Sequence, residues 1–128
     1  MNDEIQAELR IARETLQEAE HLLSKQPPRG AGSRAYYAMF HAAVAMVLAE
    51  GEKYESHGET IGAFGRLFIK PGRVERRFNS YLKEGSEFRE VADYAPLTTL
   101  SIEKAGEILK KATEFVGMAE EFLKEANP

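Results

Sequence analysis

With 128 residues, 43% of them hydrophobic and 30% charged, the chain has the size of one globular domain, read as a single unit over residues 1–128 with one core. It contains no cysteine, which excludes disulfides, thiolate chemistry and cysteine-based zinc sites; its three histidines are too few for a dedicated transition-metal cage, so neither metal nor cofactor is expected. No apolar run reaches the roughly 18 residues of a membrane span, and the acidic start MNDEIQAELR is unlike a secretory signal, so the expected location is the cytoplasm, with no membrane partner.

Taken in order, Ile5, Leu9, Ala12, Leu16, Ala19 and Leu22 or Leu23 recur at threes and fours and predict an amphipathic helix over residues 3–25, capped by Asn2 or Asp3. The run QPPRGAG over residues 26–32 reads as a helix stop and a short turn, which makes the next helix an antiparallel neighbour. That helix, with Ser33 as N-cap, is predicted over residues 33–50 and ends before Gly51. Its apolar face and its many alanines mark it as the buried centre of the molecule. A polar loop leads to a third helix over residues 59–69, with Ser56 and His57 near its start. Pro71 and Gly72 break the pattern, a fourth helix covers residues 73–83, and residues 84–96 read as irregular with one turn around residues 88–94. The longest stripe runs from Ile102 to Leu123 behind a cap at Thr98, Thr99 or Ser101. Helices with short connections and matching stripes predict an all-α, antiparallel up-and-down bundle of four to five helices.

The net charge of −4 hides a gradient. Residues 1–25 carry six acids against three bases, whereas residues 66–89 carry seven bases against three acids. Arg73, Arg76 and Arg77 are placed together on one face and form a candidate basic surface, either a solvated face with ion pairs or a contact for phosphate or an acidic partner.

No phosphate loop, HExxH, GxSxG or calcium loop is present. Polar groups suited to chemistry stand out in SRAYYAMFHAA, where Arg34 and His41 are seven residues apart. Seven helical steps return to within about 20° of the starting face, with Tyr37 between. An imidazole transfers protons near neutral pH and a guanidinium holds phosphate, so this pair suffices in kind for metal-independent RNA cleavage. The alternative is structural: His41 bonded to a neighbouring helix and Arg34 paired with a carboxylate. Tyr37 either packs in the core or stacks a base, His57 either caps or binds an anion beside a helix start, and Arg89 and Asp93 are spaced to pair.

SRAYYAMFHAA, then SHGETIGAF, then REVADYAP and a long last helix containing FVGMAEEFL together resemble the HEPN domain family, in particular its small stand-alone archaeal and bacterial members. The resemblance implies a helical bundle that forms a homodimer, encoded beside a minimal nucleotidyltransferase in a two-component, toxin and antitoxin type system. It implies a protein that binds nucleotide, RNA or that partner through Arg34, Tyr37, His41 and His57. Within the family, the ribonuclease branch is marked by an Arg followed after four to six residues by His; Arg34 and His41 have six between them, although Ala43 stands where the best-marked nucleases carry Tyr. The readings left open are therefore a binding component, a metal-independent ribonuclease toxin with Arg34 and His41 as catalytic pair, and a purely structural interaction module.

Overall fold

The computed structural model describes residues 2–25, 28–94 and 101–126. Helix α1, Asp3–Lys25, begins where expected, because the Asn2 side chain accepts a hydrogen bond from the Ile5 amide at 2.9 Å and Asp3 and Glu4 face the positive end of the helix. Ile5, Ala12, Leu16 and Ala19 are its buried stripe.

Helix α2, Pro28–Ala49, corrects the expected turn over residues 26–32. Residues 26–27 lie outside the described residues, but Pro28 opens the helix, a place where its missing amide hydrogen is not needed. Ser33 is therefore an interior residue and not the N-cap. The two glycines that suggested a loop sit inside the helix, and Gly32 is there for space: a Cβ would lie 2.0 Å from a ring carbon of Phe88. At the far end Gly51 takes φ +82° and donates to the Leu48 carbonyl at 2.9 Å, closing the helix as predicted.

Helix α3, His57–Phe64, starts earlier than residue 59 because Ser56 caps it, accepting from the Glu59 amide at 3.1 Å while its hydroxyl donates to the Glu59 carboxylate at 2.9 Å. A π-helical turn, Gly65–Ile69, extends it, and Gly72 at φ +78° redirects the chain.

The fourth element differs most from expectation. Helix α4 is Arg76–Tyr94, so Arg73 precedes it and the supposedly irregular stretch is helical through Tyr94. Phe78, Leu82, Gly85, Phe88 and Ala92 are its buried residues, spaced at threes and fours, and Gly85 is one of them because Met39 and Tyr36 of α2 press on it: a Cβ would meet the Met39 methyl at 2.6 Å. Pro96, Thr98 and Thr99 lie outside the described residues. Helix α5, Ile102–Ala126, is capped by Ser101, whose hydroxyl accepts from the Lys104 amide at 3.0 Å.

These five helices form an antiparallel bundle, with no strand among the described residues. Helix α2 is its axis, packing against α1, α3, α4 and α5. Ala31, Ala35, Ala38, Ala42, Ala43 and Ala45 are sealed in these contacts, and the small side chains let the surrounding helices approach closely. Phe64, Phe68 and Phe115 fill the space left over, each contributing about 1.5–3 kcal/mol by burial. Among the described residues no helix is long and apolar enough to cross a membrane.

Candidate functional site

The polar residues of α2 leave the bundle axis in two directions. Arg34 points to solvent with 51% of its side chain exposed, and its Nε stands 3.6 Å from a Glu18 carboxylate oxygen of α1. That separation is an ionic contact and too long for a hydrogen bond. Arg34, Tyr37, Ser33, Arg29 and Asp93 line a cleft of about 700 Å³. Arg29 is fastened across it to α4 through the Ala92 and Val91 carbonyls.

His41 faces elsewhere. Its Nδ1 lies 2.7 Å from a Glu8 carboxylate oxygen of α1, with the ring 29% exposed, and it lines a separate cavity of about 260 Å³ together with Phe40, His57, Thr60, Glu52 and Lys53. Arg34 and Tyr37 thus share one depression and His41 and His57 another. The carboxylate pairings that formed the structural alternative are both present, Arg34 to Glu18 and His41 to Glu8.

A wall of rings separates the two depressions. The Tyr36 hydroxyl is 2.9 Å from His57 Nδ1, and the His57 ring stacks on Phe40 at 3.9 Å between centroids with 20° between planes. Burial pushes the Tyr36 phenol above its ordinary range, against the Arg89 charge and a hydrogen bond with Ser86. Burial, with the Arg89 and His41 charges, holds the His57 imidazole below its ordinary value. Both shifts favour the uncharged forms, so a neutral phenol and a neutral imidazole share this hydrogen bond. Tyr37 stands edge-on to His57 at 5.8 Å and 85°.

Arg89, from α4, completes the wall. Its guanidinium carbon lies 5.6 Å from the Tyr36 ring centre and 5.9 Å from that of Tyr37, and its Nη1 meets Asp93 at 3.5 Å. Spacing gave the Arg89 and Asp93 pair, but not its position against the tyrosines. That position follows from Phe88 and Ala92 being buried, which turns Arg89 toward α2; the signal was the apolar repeat of α4, obscured by Gly85. Glu8 was likewise readable only as one acid among several on α1. As a result, residues of SRAYYAMFHAA and SHGETIGAF and the arginine that opens REVADYAP, separate in sequence, meet in one place.

The basic stretch is largely committed. Arg73 pairs with Glu50 at 2.7 Å and lies over the rings of Phe68 and Phe122 at 5.0 and 5.4 Å. Arg77 reaches Glu114 at 2.8 Å and covers Phe78 at 4.6 Å, and Arg66 pairs with Glu52. Arg76 is exposed at the start of α4. Since Arg73 precedes the helix, the three arginines do not occupy one helical face.

Comparison with known proteins gives a consistent result. The model of the HEPN domain matches residues 5–126. A candidate toxin of Methanocaldococcus jannaschii is 34% identical over 125 residues, covering 98% of this chain and 92% of that one. A UPF0332 protein of Thermotoga maritima is 31% identical over 116 residues, 91% of this chain and 88% of its own. The crystal structure of TT1696 from Thermus thermophilus superposes with a TM-score of 0.80 over 94% of this chain and 99% of that one, at 19% identity, a likeness of fold.

Proposed function

This chain belongs to the HEPN domain family, and on that premise we propose that it is the helical, toxin-type component of a two-component system, a homodimer that works beside a minimal nucleotidyltransferase and binds a nucleotide or RNA in the cleft of Arg34 and Tyr37. The observation that carries this reading is the state of Arg34. An ion pair as exposed as that with Glu18 adds little to stability, so the fold does not account for a guanidinium that lines the same cleft as Tyr37. A phosphate does account for it, through charge-assisted bidentate hydrogen bonds, while the Tyr37 ring offers a face for a base. Arg34→Ala is expected to weaken binding of a labelled oligoribonucleotide tenfold or more with the melting temperature unchanged. Unaltered binding of RNA, nucleotide and the nucleotidyltransferase in that variant overturns the assignment.

A second reading, a metal-independent ribonuclease, is favoured by the 2.7 Å contact between His41 and Glu8. A carboxylate on Nδ1 fixes the imidazole and leaves Nε2 for proton transfer. Because Arg34 and His41 of one chain open onto separate depressions, this chemistry requires the second copy of a dimer to complete the pair. Incubation with RNA in EDTA decides it: ends bearing 2′,3′-cyclic phosphate, absent with His41→Ala, support the nuclease, and cleavage no greater than with that variant excludes it.

A further inference from the structure

Two buried polar atoms beside the Arg34 and Tyr37 cleft have no hydrogen-bond partner, the Ser33 hydroxyl oxygen and Arg89 Nε. Ser33 lines the cleft with Asp93. Arg89 stands one side chain behind, over Tyr36 and Tyr37, joined to Asp93 by a contact of 3.5 Å at the limit of a hydrogen bond. A serine inside a helix ordinarily returns its hydroxyl to a carbonyl one turn back, and a guanidinium only 18% exposed ordinarily has its N–H groups satisfied. Here neither happens: Ser33 lines the cleft itself, and Arg89 lies against two residues that line it, Tyr37 and Asp93. Asp93, 41% exposed, is the acid that touches Arg89.

We propose that Ser33 and Arg89 form an anion subsite behind the cleft and that the group it takes is a terminal phosphate, that of a nucleoside monophosphate or of an RNA 5′ end. The proposal rests on the cleft being a nucleotide or RNA site and specifies which part of the ligand enters. Both donor atoms lie below the surface. An internal phosphodiester carries a substituent on each side and stays outside; a phosphomonoester presents three unsubstituted oxygens and reaches in. Its oxygens accept from the Ser33 hydroxyl and Arg89 Nε, the second negative charge lies toward Arg34, and the Asp93 carboxylate is displaced into solvent.

Titration of the intact protein with AMP, adenosine, and one short oligoribonucleotide with or without a 5′-phosphate tests this. AMP and the 5′-phosphorylated strand are expected to bind at least tenfold more tightly than their unphosphorylated counterparts; a preference confined to AMP assigns the subsite to free nucleotides, one confined to the strand to RNA ends. Ser33→Ala removes a buried hydroxyl that has no partner, so it leaves the melting temperature unchanged or higher while reducing the phosphate preference about tenfold. Asp93→Asn, which removes the competing charge, is expected to tighten AMP binding severalfold, whereas a merely structural aspartate gives no gain. Equal affinity with and without the terminal phosphate overturns the subsite while leaving the Arg34 cleft reading standing. Failure of every probe to bind overturns both.

Discussion

Replacing Gly32 by alanine tests whether the crossing of α2 and α4 is set by a missing side chain. On helix propensity alone the change stabilises an interior position by about 1 kcal/mol. The new Cβ, however, would lie 2.0 Å from Cε1 of Phe88 and 2.5 Å from two further ring atoms. Ordinary carbon contacts are about 3.5–4.0 Å, so the ring has to withdraw by well over an ångström. Phe88 is 5% exposed, and its ring can withdraw only into the depression it lines with Glu84, Val91 and Lys104 or by moving α4. Overpacking of this kind costs about 1–3 kcal/mol, and this clash belongs at the upper end. The net expectation is a loss of about 2 kcal/mol, or roughly 6–10 °C in melting temperature for a chain of this length. Urea unfolding followed by circular dichroism reads it directly. Gly106→Ala is the control of opposite sign, since a Cβ there meets nothing within 4 Å; it is expected to stabilise by about 0.5–1 kcal/mol. In a double-mutant cycle, Phe88→Leu should remove about 1 kcal/mol or more of the Gly32→Ala penalty. A Gly32→Ala protein as stable as the parent would refute the close-approach account of why this stretch is a helix.

The aromatic wall makes a pH prediction. His57 has a folded pKa below its ordinary 6.5, so the folded chain refuses a proton that the unfolded chain accepts. Its contribution is complete above about pH 6.5 and is lost as the pH falls from there through the folded value. Imidazole NMR should show His57 titrating below 6.5, and His57→Gln should flatten the acid side of the stability profile; titration above 6.5 would contradict the buried Tyr36 contact. Tyr36→Phe, which removes the hydroxyl that meets His57 Nδ1, is expected to cost about 1 kcal/mol in the same unfolding assay. Arg73→Ala is expected to lose about 1 kcal/mol from its Glu50 pair and its two aromatic faces, with Arg73→Lys recovering little of it, while Arg76→Ala stays within about 0.5 kcal/mol of the parent. Equal effects at both arginines would mean that the rings under Arg73 add nothing.

The ends of the molecule were legible in the sequence because α1 and α5 are amphipathic in the ordinary way, with apolar stripes at threes and fours and polar caps at Asn2 and Ser101. The middle was harder to read, for a single physical cause. Gly30, Gly32 and Gly85 lie in helices, and at Gly32 and Gly85 the missing Cβ admits a ring or a methyl from the facing helix. In one dimension such a glycine is indistinguishable from a breaker, so α2 was expected to start late and α4 to stop early. The site inherited the same limit. Arg34, Tyr37, His41 and His57 were all recognisable by residue type and spacing. Which of them share a depression depends on the rotation of α2 against α1 and α4, and Arg89 enters only once α4 is known to continue past Gly85.

The alanine packing of α2 also bears on how such a protein can change over time. Six alanines of this helix have no exposed surface, so almost any replacement there adds volume where none is available. Sequence drift is thereby channelled. Arg34, on the solvent side of the same helix, can be exchanged without disturbing the bundle, and so can half-exposed Asp93 on α4. Retuning the ring wall itself demands concerted changes, since its groups come from α2, α3 and α4. A scaffold built this way keeps its frame nearly fixed while leaving the mouth of the cleft open to adaptation, one residue at a time.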